Sequence, residues 1–295
     1  MNMKISGRTF PPSQAGFSLL ELVIVVAILL IVMAAVFNGI NLVAQRSQAE
    51  QVKVDLNQEG REFVDEFERD LHQAGYPNCR MVAATAGLVS NCDYTNTNVA
   101  NSASVAAGLV YVSSTKIIFE GDVDGNGTVD SVQYELVDSA GNDPPTGTCP
   151  CSIKRSQIAK VAGTAPLSQP PSFSQELQNV VNSGQPTGTL QYGGGLSIAG
   201  NTAWGATNSS YYAAISSFKD YPVFQAYDQN GLIIPLPLSI TTGYATLTCA
   251  SSSISCVKSI RLSINLLANS VTGVDLKTNV RPVITLVGDA RLVNN

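Results

Sequence analysis

Two groups of residues in this chain have types and spacings suited to chemistry. Asp122, Asp124, Asn126, Gly127 and Asp130 follow the D-x-D-x-[DN]-G order of a calcium loop, with a further acid at the ninth position. A hard divalent cation takes about six to eight oxygens, and alternate side chains on a tight turn can deliver them from one short stretch. Gly127 permits the turn, and the carbonyl of Thr128 is placed to add a backbone oxygen. The pattern departs from an EF-hand at the twelfth position, which is Gln133 instead of Glu, and in its strand-like flanks. Glu135 closes the shell only if the hairpin bends. The expectation is a strand–loop–strand Ca2+ site; the alternative is an acidic turn in which Asn126-Gly127 reverses a hairpin. The second group is a single residue, Glu21, set in an apolar run that continues to Phe37 with no other charge. An acid at membrane depth costs about 2.5–3.5 kcal/mol on insertion scales, so it calls for a cationic partner. The plainer reading is a single-pass anchor whose Glu reaches the headgroups.

Six cysteines stand at 79, 92, 149, 151, 249 and 256, all outside the apolar run. An even count in an exported domain favours disulfides over metal binding or thiol chemistry, and six cysteines allow fifteen pairings. Nearness suggests Cys79 with Cys92 and Cys249 with Cys256. Cys149 and Cys151 would strain a mutual bridge, which leaves cross-pairing open. The sole histidine, His72, falls in a charged helical stretch and reads as a solvated residue. There is no Gly-x-Ser-x-Gly elbow, zinc motif or phosphate loop, so catalytic residues are not expected and an exported enzyme is the weakest class. Net charge of −5 and a pI near 4.9, without a basic run, do not indicate nucleic acid. Trp204, Tyr211 and Tyr212, in a Gly/Ser/Asn-rich stretch, could form a contact surface or pack beneath their loop.

These residues need elements to position them. Residues 17–37 as a helix rise about 31 Å, enough to cross a bilayer core. Further on, Ala49, Val52, Leu56, Gly60, Phe63, Phe67, Leu71 and Ala74 recur at spacings of three and four, which makes one apolar stripe. The charged residues between them, Asp70 included, are assigned to the wet face. Gly75 and Pro77 end the helix near Ala74. Asn38-Gly39 is its weak point, because glycine costs about 1 kcal/mol against alanine in a helix interior. Beyond Pro77 the pattern alternates. Strands are expected at Leu109–Val112, Lys116–Glu120, Ser131–Val137, Ser152–Ile158, Thr189–Tyr192, Val223–Tyr227, Ala245–Cys249, Val257–Leu266 and Pro282–Leu292, with loops over 139–150 and 162–174. One long helix followed by short strands in an antiparallel sheet is an α+β architecture.

What precedes the apolar run adds a class. Residues 1–16 carry Lys4 and Arg8 with no acid, include Pro11-Pro12, and stop at Gly16 directly before the run. In a secretory signal peptide the small-residue cleavage site follows the hydrophobic region; here the order is reversed. Gly16, Phe17, Glu21 and the unbroken apolar run together resemble the type IV pilin family. The resemblance implies cleavage after Gly16 by a prepilin peptidase and methylation of the new amino terminus at Phe17. It also implies that Glu21 faces the amine of a neighbouring subunit's Phe17. The ending from Ser259 to Asn295 and the acidic loop are similar to those of PilW-type minor pilins.

On that resemblance the chain divides into a leader at 1–16, a transmembrane or filament-core helix at 17–37, an amphipathic extension at 38–75 and a β-rich domain at 76–295. The expected function is that of a minor type IV pilin, a non-enzymatic subunit in pilus assembly or initiation. A type II secretion pseudopilin or a membrane-anchored adhesin are the alternatives. The expected partners are other pilins through the amino-terminal helix, the prepilin peptidase and the inner-membrane assembly platform. The expected location is the inner membrane with the carboxy-terminal domain in the periplasm, then the pilus at the cell surface.

Overall fold

The stripe of apolar residues from Leu56 to Ala74 requires a partner surface, and a sheet supplies it. The computed structural model describes residues 18–86, 94, 97–145, 148–182, 191–192, 221–240, 253–268 and 283–293. Two compact units result, Met1–Ser47 and Gln48–Asn295. The first consists, where described, of the amino-terminal part of helix α1, which runs over Leu19–His72. The helix passes through Asn38-Gly39 without interruption.

In the second unit, two short helices, α2 (Cys79–Ala86) and α3 (Thr97–Ala100), precede the strands. The hairpin of β1 (Gly108–Val112) and β2 (Lys116–Gly121) leads through the acidic loop into β3 (Asp130–Val137). Then come β4 (Thr148–Cys149), β5 (Cys151–Ala159), β6 (Phe173–Val180) and β7 (Gln191–Tyr192). The series ends with β8 (Phe224–Tyr227), β9 (Ile233–Ile234), β10 (Leu238–Ser239), β11 (Ser259–Leu267) and β12 (Val283–Arg291). Among the described residues these form a ten-stranded sheet in the order β10-β1-β2-β3-β5-β6-β11-β8-β9, with β12 on β11, and a small pair β4-β7. β12 lies along the full length of β11 on one edge. β8 and β6 divide the other, at Ser259–Leu262 and Leu266. All pairs in the large sheet are antiparallel, as expected for an α+β fold.

The stripe packs on one face of this sheet. Phe67, fully buried, meets the Tyr134 ring of β3 edge-on at 5.3 Å and stacks on Phe224 of β8 at 5.6 Å. Burying such a side chain contributes about 1.5–3 kcal/mol. Alternation on β3 turns Asp130, Val132, Tyr134 and Leu136 to the same side as this core. The expected strands at 109–112, 116–120, 131–137, 152–158, 223–227, 257–266 and 282–292 agree with the observed ones within a residue or two. The expected strand Ala245–Cys249 lies outside the described residues.

Several features correct the sequence reading: β4 falls inside the expected loop 139–150, and β9 and β10 form where no strand is expected. Residue 173 begins a strand, β6, in place of ending a loop. The short helices α2 and α3 stand where no element is expected. Asp70, assigned to the wet face, is 1 % exposed on the packed one. Its Oδ2 accepts from the Tyr134 hydroxyl at 2.7 Å and from Arg155 Nη2 and Nε at 2.7 and 3.0 Å. Tyr134 holds its proton well above the usual phenol range because burial and the Asp70 charge both disfavour the phenolate. His72 is exposed, as expected.

Gly75 and Gly121 close the helix against the sheet. Gly75, at φ 79°, takes the left-handed turn that ends α1, and its N–H donates to Glu120 O at 2.8 Å. Gly121 bridges Ala74, so closely that a Cβ there would lie 2.3 Å from the Gln73 carbonyl oxygen. Backbone cannot swing aside as a side chain can. Gly121→Ala is therefore expected to lower the stability of the full chain by about 1–3 kcal/mol, measured by urea unfolding in detergent. An unchanged midpoint would show that the helix end can shift at no cost.

Candidate functional site

Glu21 is held by local geometry that its sequence neighbours dictate. Ser18-Leu19-Leu20-Glu21 is a capping box: Ser18 Oγ accepts from Leu20 N at 3.3 Å, and Glu21 Oε2 accepts from Ser18 N at 3.0 Å. The S-x-x-E spacing behind it is legible in the sequence. The carboxylate thus satisfies one of the orphan N–H groups of the helix start. It also stabilises the positive end of the helix dipole. Residues 18–48 are all exposed, including an unbroken series of large apolar side chains such as Leu22, Val26, Leu29 and Phe37. A helix apolar on every side with no protein around it suits lipid or a bundle of its own kind. This is also the one helix among the described residues long and apolar enough to cross a membrane, with a best-window mean hydropathy of 3.2. Gly16 and Phe17, the expected processing residues, lie outside the described residues.

The acidic loop is a tight turn between β2 and β3. Asp122 is 6 % exposed, and its Oδ2 accepts from Gly127 N at 3.0 Å. Asp124, exposed, accepts from Asn126 through both oxygens: the backbone N–H at 3.1 Å and the amide at 2.7 Å. Asn126 Oδ1 takes the backbone N–H of Thr128 at 2.7 Å and also its hydroxyl. Asp130 Oδ2 accepts from Gln157 Nε2 at 2.7 Å. Burial pushes the Asp130 carboxyl up from its ordinary range; the Gln157 hydrogen bond opposes that shift, and the charges of Asp124 and Asp122 add to it. Among the described residues no three Asp, Glu, His or Cys side chains converge as a ready metal cluster does. Gln133 donates to Gln169 O, and Glu135 pairs with Lys116 at 3.2 Å. Lys116 and Glu135 face each other at the end of the β2–β3 hairpin remote from the loop, so Glu135 does not close its shell.

Cys79 and Cys151 are both disulfide-bonded. Cys92 and Cys249 lie outside the described residues, as do Trp204, Tyr211 and Tyr212, and Cys149 is placed by its backbone in β4. Cys256 is buried, and Cys249, its expected partner in a short bridge, lies outside the described residues.

A second ionic group is absent from the sequence reading. Lys160 Nζ and Glu120 Oε2 lie 2.6 Å apart with both side chains fully buried. Lys160 also donates to the carbonyls of Ala100 at 2.7 Å and Val105 at 2.8 Å, and Glu120 Oε2 accepts from Ala107 N at 2.9 Å. These contacts tie the segment after α3 to β2 and to the end of β5. Nothing in the local sequence signals a pair formed across 40 positions.

Comparison with curated proteins and with solved structures yields no match. Residues 11–37 match the family model of the prokaryotic N-terminal methylation motif, the signal of type IV pilin-like proteins.

Proposed function

We propose that this chain is a minor type IV pilin: a non-enzymatic subunit, processed after Gly16, that enters or primes a pilus through its apolar helix. The observation that carries this reading is the methylation motif at residues 11–37 coinciding with a helix whose residues 18–48 are exposed on every side. Such a surface needs lipid before assembly and neighbouring helices after it. Glu21 supports the same role, because its carboxylate can meet the amine at a neighbour's Phe17 once the leader is gone. The amphipathic continuation of α1 packs on the sheet. The partners in this reading are the prepilin peptidase, the assembly platform and other pilins.

The test is to shear filaments from cells and analyse the amino-terminal peptide by mass spectrometry. The expected result is a minor component beginning at N-methylated Phe17. Recovery only from membranes, with residues 1–16 attached, would overturn the proposal.

A further inference from the structure

The filament role leaves the acidic loop unused, and one atom in that loop is out of place for a folded protein. Asp122 Oδ1 is sealed from solvent and has no hydrogen-bond partner. Its sister oxygen, bonded to Gly127 N across the turn, fixes the carboxylate pointing into the loop. A buried carboxylate oxygen without a partner is costly, and a cation relieves that cost directly.

We propose that the turn from Asp122 to Asp130 binds one Ca2+ ion, and that binding tightens the joint between the sheet and the end of α1. The donors are Asp122, Asp124, Asn126, the Thr128 carbonyl and Asp130. Every one is an oxygen, which selects a hard cation over zinc or copper. Side-chain and backbone oxygens drawn from one irregular turn suit Ca2+, whose coordination geometry is flexible, better than Mg2+, which demands near-ideal octahedral geometry. Loading draws Asp124 away from the Asn126 N–H groups that it now accepts, and its exposed side chain is able to turn. Gln133 and Glu135 are engaged elsewhere, so the strong bidentate ligand of an EF-hand is missing. The affinity therefore belongs with extracellular calcium modules, at a Kd of about 10⁻⁴–10⁻³ M.

The loop is fastened at one end to the turn that follows α1 and at the other, through side chains, to α1 itself. On its amino-terminal side Asp122 N donates to Tyr76 O at 2.8 Å, beside the Gly121–Ala74 bridge. On its carboxy-terminal side Asp130 accepts from Gln157, whose Oε1 accepts from Arg155 Nη2 at 2.8 Å, and Arg155 holds Asp70 of the helix. An ion that orders Asp122 and Asp130 thus orders the two attachments of the helix end.

The experiment uses the full chain in detergent, stripped with a chelator and titrated with CaCl2 by isothermal calorimetry, followed by thermal unfolding and amide hydrogen exchange. One ion should bind saturably. At about 100-fold excess over Kd, the folded-to-unfolded ratio should rise about 100-fold. Amides around Gly75 and Tyr76 should gain protection. Asp124→Ala should lower the calcium-free melt only slightly, because the two bonds from Asn126 that it removes are exposed to solvent, and should weaken binding by more than about tenfold. Asp122→Asn should abolish binding. Absence of saturable uptake, or binding by Asp124→Ala equal to that of the parent, would overturn the site; calcium binding without a change in exchange near Gly75 would overturn the coupling.

Discussion

Glu21→Ala is expected to leave leader removal and membrane insertion intact while depleting the chain from sheared filaments. Removing an acid from membrane depth makes insertion easier by about 2.5–3.5 kcal/mol, so a loss of incorporation cannot be ascribed to poor insertion. The capping box supplies a competing explanation, because Glu21 also bonds Ser18 N. Loss of a cap costs about 1 kcal/mol and would fray the first turn. Glu21→Gln separates the two. Glutamine serves the third position of a capping box as glutamate does, but carries no charge to neutralise a neighbour's ammonium at Phe17. If charge pairing drives assembly, Glu21→Gln and Glu21→Ala fail alike, measured as the ratio of sheared to membrane-bound protein by immunoblot. If capping suffices, Glu21→Gln assembles as the parent does, and the pairing role is lost.

The outline of the fold was legible because its signals are local. Spacings of three and four from Leu56 to Ala74 placed the packed stripe, and Gly75 placed its end within two residues of His72. What escaped is set by partners far along the chain. Asp70 lies seven positions after Phe63 and so falls on the stripe, but its charge assigned it to water. Arg155, 85 positions away, is what makes its burial tolerable. β6 escaped for a different reason. Phe173, Leu177 and Val180 recur with a helical spacing, because register shifts against β5 and a left-handed Asn179 at φ 61° interrupt the alternation. In the acidic loop the order of acids around Asn126-Gly127 is readable from spacing alone. The connection from Asp130 through Gln157 and Arg155 to the helix depends on β5 lying beside β3.

The same long-range logic makes Lys160 a sensitive side chain. Burial pushes the Glu120 carboxyl up and the Lys160 ammonium down, while each charge opposes the shift of the other. With the pair intact, three of the lysine's contacts are satisfied at 2.6–2.8 Å. Lys160→Met fills much of the same volume but leaves the Glu120 charge buried without its counter-ion, and Glu120 Oε1 is already without a hydrogen bond. The expected loss of stability is about 3–5 kcal/mol, a large share of what a domain possesses. Adding Glu120→Leu removes the stranded charge and should recover part of that loss. Recovery stops short of the parent because the carbonyls of Ala100 and Val105 still lack the ammonium's N–H groups, at about 1–3 kcal/mol for each that water cannot reach. Urea unfolding of the full chain in detergent, with Glu120→Leu alone as the third variant, measures all three against the parent as a double-mutant cycle. A Lys160→Met midpoint within error of the parent would mean that water or a rearranged backbone compensates the carboxylate, and that the segment after α3 is not held by this pair.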